Sequence, residues 1–88
     1  MRATYRKRFL KDLAKIPEKI RVKIEKFVFD EILKFDTLDE AHKIEKMKGF
    51  SSYYKARFGD YRVGLKLEED EIVFERALHR KDIYKYFP

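Results

Sequence analysis

Two arginines and two lysines crowd the stretch YYKARFGDYRVGLKL, Tyr53 to Leu67. It reads as two strands, Tyr53–Phe58 and Tyr61–Leu67, joined by a two-residue loop at Gly59-Asp60. Phe58 then faces Tyr61, and Arg57 faces Arg62. Strand alternation puts Tyr53, Lys55, Arg57, Arg62, Gly64 and Lys66 on one side. Tyr54, Ala56, Phe58, Tyr61, Val63, Leu65 and Leu67 take the other, which must cover a core. Like charges directly across a strand pair destabilise it. The arrangement makes sense with an anion between the arginines. Phosphate suits converging cations, and planar guanidinium forks hold it best. Gly64 would leave backbone open to a close-lying ligand. The plainer alternative is a solvated polar face, common in antiparallel sheets. Such faces usually mix signs, and here only Glu75 accompanies the cations.

Other residues could serve the same site. Tyr53 and Tyr84 could stack a base beside a bound phosphate. His79 leaves the last strand on the side of Glu75 and Ala77. Cationic neighbours there would favour its neutral form, free to accept a proton. Equally, it could be a strand-end histidine bonded to backbone. His42 lies in a polar connector and carries no site signal. No His/Asp/Glu spacing suggests a metal, and there is no nucleophile elbow or phosphate loop.

The elements that must position these residues follow from periodicity. Arg2–Arg6 reads as a short first strand. Phe9, Leu10, Leu13 and Ile16 recur at helical spacing, in a helix stopped near Pro17. A second helix from Pro17 to about Phe35 carries Ile20, Ile24, Phe27, Val28 and Phe35 on one stripe. Val22, Phe29 and Leu33 form another. This second stripe either widens the core face or docks a partner. DTLDEAHKIEKMKG reads as a connector with about one helical turn, ended by Gly49. A last strand, Glu71–Leu78, follows a turn at Glu69-Asp70, pairing Leu67 with Ile72, Leu65 with Phe74 and Gly64 with Glu75. Val73, Glu75 and Ala77 then share the cationic face. Arg76 falls on the apolar one unless a bulge re-aims it. HRKDIYKYFP ends the chain as a short helix or tail. The order is β-α-α-β-β-β: an α+β fold with a helical hairpin on an antiparallel sheet, mainly three strands plus an N-terminal edge strand.

Composition sets the outer limits. Eighty-eight residues make one domain, 1–88. No cysteine is present, so disulfides and cysteine-held metals are excluded, and a cytoplasmic setting is the default. No apolar run is long enough to cross a membrane. The net charge of +6 favours a polyanionic partner.

The segment KMKGFSSYYKARFGDYRVGLKLEEDEIVFERALHRKDIYKYF resembles the second half of toxins of the RelE/ParE superfamily, from type II toxin–antitoxin modules. Their pattern is an L-x-G…Y-x-x-R-x-G-x-Y-R hairpin, a strand, then H-R-x-x-x-Y; Met47 replaces the usual leucine. YRKRFLKDLAKIPEKIRVKIEKFV resembles the family's opening strand and helical hairpin. The match is nearest the RelE-like branch. It implies the RelE-like microbial ribonuclease-type fold and a ribosome-dependent endoribonuclease that cuts mRNA in the A site. No metal or other cofactor is needed: the ribose 2′-oxygen attacks the adjacent phosphate. By position, Lys55 and Arg57 match sheet cations. Arg62 would stabilise the phosphorane, Arg80 would lie near the leaving oxygen, and Tyr84 would position the scissile nucleotide. Tyr53, Lys48, Lys66 and Lys81 would add RNA or phosphate contacts. Several members carry lysine where this chain has Arg57, and arginine is a poor base. The base role therefore shifts to His79 or Lys55. The resemblance also implies an acidic, mostly helical, RelB-like antitoxin, docking around Val22, Phe29 and Leu33 and on the cationic sheet. DNA would be bound only indirectly, through that antitoxin. The ParE branch of the same fold, a gyrase poison, and a non-catalytic basic RNA-binding module are the competing readings.

Overall fold

A computed structural model describes residues 1–41 and 43–88; His42 lies outside them. The strands are β1 (Arg2–Tyr5), β2 (Ile44–Lys46), β3 (Tyr53–Phe58), β4 (Tyr61–Glu68) and β5 (Glu71–His79). The helices are α1 (Lys7–Ala14), α2 (Glu18–Phe29) and the short α3 (Ile83–Tyr86). One five-stranded sheet runs in the order β1-β5-β4-β3-β2.

The hairpin β3–β4 has the expected register, with Phe58 opposite Tyr61 and Arg57 opposite Arg62. Gly59 turns the chain at φ +57°, a conformation that glycine adopts at no steric cost. The sheet is mixed rather than wholly antiparallel. β1 returns parallel to β5, pairing Ala3 with Ile72 and Tyr5 with Phe74, after which the helical hairpin crosses one face.

That face holds the core. Phe9 and Leu13 of α1 and Ile24, Phe27 and Val28 of α2 bury against Ala56, Phe58, Val63, Leu65, Ile72 and Phe74. Tyr5, Phe9 and Phe74 pack against one another as a triad of rings, and the Tyr5 hydroxyl donates to the Val28 carbonyl at 2.6 Å. Large rings let a small domain bury enough apolar area.

Two elements differ from expectation. The second helix stops at Phe29, not Phe35: Asp30 leaves helical dihedrals (φ −133°, ψ −67°), and a 3-10 turn covers Glu31–Lys34. The amino group of Met1 donates to the Leu33 and Phe35 carbonyls, satisfying acceptors that lie beyond the end of the helix. The connector holds both a 3-10 turn, Leu38–Glu40, and a strand. In that strand, β2, Ile44 pairs with Ala56 and Glu45 with Lys55. Three residues with one apolar side chain show no period; the open edge of β3 orders them.

The end of β5 is also re-registered. Leu65 faces Phe74 and Leu67 faces Ile72 as expected, but a bulge between Gly64 and Leu65 brings Arg76, not Glu75, opposite Gly64. Beyond it every side chain changes face. Ala77 enters the core opposite Val63, Leu78 faces Arg62, and His79 faces Tyr61. The bulge frees Arg76 to meet Asp12 of α1, with Nε–Oδ2 at 2.7 Å and a second bond at 3.2 Å. The same Oδ2 accepts the Ala77 N–H at 3.0 Å, so α1 satisfies the β5 edge just past the end of β1.

Candidate nucleic-acid site on the open face of the sheet

The face away from the helical hairpin is not bare. After β5 the chain folds back across it. Ile83 and Phe87 bury there with Met47, packed by Tyr53 and Leu78. The Phe87 ring lies 2.6–2.7 Å from where a Cβ on Gly64 would stand. The close approach at Gly64 is therefore made by the protein's own ring, which fills the place expected for a ligand.

The cations remain around this small second core. Lys55 donates to the Tyr84 hydroxyl, and its Nζ lies 4.6 Å from the Tyr84 ring centre. Both line a cleft of about 470 Å³ with Glu45, Lys46, Met47, Lys48 and Phe50. Tyr84 is 63% exposed, so its ring is open to stacking. Tyr53 is not open in that way. Its ring packs edge-on against Phe50 and Phe87, with the Lys66 Nζ 5.4 Å from its centre.

Arg57 and Arg62 face each other, yet each has its own acceptor. Arg57 reaches Glu45 at 3.9 Å. Arg62 donates to the carbonyls of Gly59 at 2.7 Å and Tyr61 at 2.9 Å. The like-charge contact is thus relieved by the protein's own acceptors, without a bound anion. Arg80 joins the same end of the hairpin: its N–H donates to the Asp60 carbonyl at 2.8 Å, and its guanidinium lies 3.8 Å from the Asp60 carboxylate. Lys66 pairs with Glu68 at 3.1 Å, and this bond, aided by Tyr53 and the Glu68 carboxylate, raises its pKa. Lys48 is exposed at the cleft mouth; Lys81 is exposed past β5.

His79 does not join the cations. The bulge turns it to the Tyr61 side, with ring centres 5.4 Å apart and edge-on. Its Nδ1 accepts the Lys81 N–H at 3.1 Å. In its place stands Glu45, which the sequence reading passed over. β2 pairs it directly with Lys55, so both share the open face. The signal that could have found it is one glutamate just before KMKG, visible only once IEK is taken as a strand. Val22, Phe29 and Leu33 are 53%, 41% and 45% exposed. Phe29 tilts over Tyr5 at 4.8 Å and borders a groove with Leu10, Leu13 and Ala14.

The family model for the ParE toxin of the type II toxin-antitoxin system, parDE, matches residues 3–84. Toxin RelE3 of Methanocaldococcus jannaschii is 42% identical over 89 residues, with all of both chains covered. Among solved structures, the toxin of the RelB-RelE antitoxin-toxin complex from Methanococcus jannaschii superposes with a TM-score of 0.81 at 42% identity, covering 96% of this chain and 98% of that one. The archaeal RelE-RelB complex from Pyrococcus horikoshii matches at a TM-score of 0.69 and 24% identity, over 90% and 93% of the two chains, and shares the fold. The chain belongs to the RelE/ParE superfamily of type II toxins, in its RelE-like branch.

Proposed function

We propose that this toxin is a ribosome-dependent mRNA endoribonuclease that inhibits translation by cutting in the A site. The observation that carries this reading is the meeting of Lys55 and Tyr84 in an open cleft, beside Arg57 and Arg62 on the same face. Tyr84 stacks the scissile nucleotide. Lys55 and Arg62 stabilise the charge that grows on the phosphorane oxygens, and Arg80 lies toward the leaving oxygen. Arg57, Lys48, Lys66 and Lys81 bind flanking phosphates. The ribose 2′-oxygen bonds to phosphorus as the bond to the 5′-oxygen breaks, the 5′-oxygen leaves as a hydroxyl with a proton taken from solvent water, and no metal is required. With His79 on the other face, the 2′-proton passes to Glu45, paired with Lys55 and within reach of the same cleft.

Its partner is an acidic, mostly helical, RelB-like antitoxin, a reading supported by the RelB-RelE complexes of the relatives. Val22, Phe29 and Leu33 offer that chain an exposed apolar surface.

A translating-ribosome cleavage assay read by primer extension tests the reading. Wild type should give A-site cuts, and Arg62→Ala should lose them with the fold intact. The matching family model is described as a ParE toxin, and the rival reading from that branch is a gyrase poison. No cuts together with blocked supercoiling would establish it instead.

A further inference from the structure

The segment between β2 and β3 holds a large apolar ring out in solvent. Phe50 is 49% exposed, yet the backbone around it is firmly tied. The Met47 N–H donates to the Tyr53 carbonyl and the Leu67 N–H to the Ser52 carbonyl, both at 2.8 Å. Gly49 and Ser52 turn the chain at φ +77° and +71°, the second an uncommon conformation for a residue with a side chain. The Tyr53 ring, edge-on at 6.5 Å, braces the Phe50 ring from the sheet. Phe50 lines the same cleft as Tyr84, which reaches it from α3. Lys46, Lys48 and Lys55 line it too, and none of the three has a carboxylate within 4.0 Å among the described residues. Glu45, the acid of the cleft, is approached by Arg57 at 3.9 Å. The walls therefore combine two exposed rings with an excess of positive charge. A flat group that carries an anion fits them, and a nucleotide is such a group.

We propose that Phe50 is the second ring of a base clamp: the base of the nucleotide whose 2′-oxygen attacks lies between Phe50 and Tyr84, and the clamp prefers a purine. The inference rests on the reading of this cleft as the RNA site and adds a specificity-determining residue to it. Stacking accepts any base, because every base has a π-face. It strengthens with the area covered, so two rings favour adenine or guanine over the smaller pyrimidines. Lys46 and Lys48, on either side of Met47, meet phosphate as flexible point charges and leave the choice of base to the rings. Phe50 stands apart from the apolar surface of Val22, Phe29 and Leu33. It packs on Tyr53 on the open face, whereas α2 covers the other. A braced ring has little freedom left to lose when a base arrives, which makes it a better clamp than a mobile one.

The test titrates the full-length protein, without ribosomes, into a trinucleotide with 2-aminopurine as its central base. The first two sugars lack their 2′-hydroxyls, so the probe cannot be cut. Wild type should bind it and quench its fluorescence, as stacking does. Phe50→Leu keeps an apolar side chain but no ring; it should bind about 5- to 100-fold more weakly and lose most of the quenching. Phe50→Trp should keep both. An all-adenine competitor should displace the probe from wild type better than an all-uracil one, and the gap should narrow in Phe50→Leu. Tyr84→Ala separates this inference from the reading beneath it. A loss in Tyr84→Ala with none in Phe50→Leu overturns the clamp and leaves the cleft as the RNA site. No binding by wild type at roughly 1 mM also overturns the clamp, and A-site cutting then rests on primer extension alone. Equal competition by the two trinucleotides overturns it, as does a loss in Phe50→Leu confined to antitoxin capture.

Discussion

The ring of Phe87 occupies the space in which a side chain on Gly64 would begin, with ring carbons 2.6–2.7 Å from that position. The two residues therefore specify each other. Gly64→Ala should expel the ring and destabilise the protein by about 1–3 kcal/mol, the usual cost of overpacking. Phe87→Ala should cost about 3 kcal/mol through the lost burial. In the double variant the alanine methyl meets no ring, so the two losses should be far from additive. Urea unfolding of the four proteins checks this, and simple additivity would show that the ring is held elsewhere.

Asp12 is 10% exposed and serves two donors at once, the Arg76 guanidinium and the Ala77 N–H. The hydrogen bonds from Arg76 hold that guanidinium's pKa above its ordinary value. Asp12→Ala would strand a half-buried cation and an edge amide together. The expected loss is about 3 kcal/mol, with faster hydrogen exchange at Ala77. Arg76→Met in the Asp12→Ala background should recover part of it, because it removes the uncompensated charge.

Glu45 is expected to carry the proton step. Glu45→Gln should lower the cleavage rate about 10²–10⁴-fold while leaving ribosome binding near wild type. His79→Gln should keep most of the activity, since His79 lies against Tyr61 on the far face. The reverse ranking would return the base role to His79.

Val22 on α2 and Leu33 in the 3-10 turn after it are exposed apolar side chains proposed to dock the antitoxin. Val22→Asp and Leu33→Asp should each change stability by less than about 0.5 kcal/mol, as exposed positions do. Each should weaken capture of the cognate antitoxin about tenfold or more. Titration by calorimetry separates the two effects, and unchanged affinity in both variants would place the antitoxin elsewhere.

The hairpin that presents Lys55, Arg57 and Arg62 could be read directly because a two-residue glycine turn and strict alternation fix its register. The last strand could not be read past Phe74. Its bulge follows from a long-range pairing, Arg76 with Asp12, that leaves no local mark in ERALH. One extra residue there moved Ala77 and His79 off the cationic face. β2 was hidden for a related reason: IEK becomes a strand only when β3 offers an edge. Gly64 reads in the sequence as backbone open to a ligand, but the ring of Phe87 fills that place from the C-terminus, which sequence spacing does not reveal.

Glu40 gives the fold an acid-sensitive joint. One carboxylate oxygen accepts the N–H groups of Thr37 at 3.0 Å and Asp36 at 2.5 Å. These bonds, that from Thr37 first, hold its pKa below the ordinary glutamate value. The unfolded turn therefore binds the proton more readily than the folded one. The stabilisation is complete above the ordinary value of about 4.3 and is lost as the pH falls through the lowered folded value. The carboxylate is solvent-exposed, so the effect is local and is best read at the Thr37 amide. Its NMR shift should hold steady from neutral pH to about 5 and move only at lower pH, as residues 36–41 open. In Glu40→Gln the amide should start nearer its opened position and lose that acid step. An acid step that survives the substitution would assign the joint to a different carboxylate.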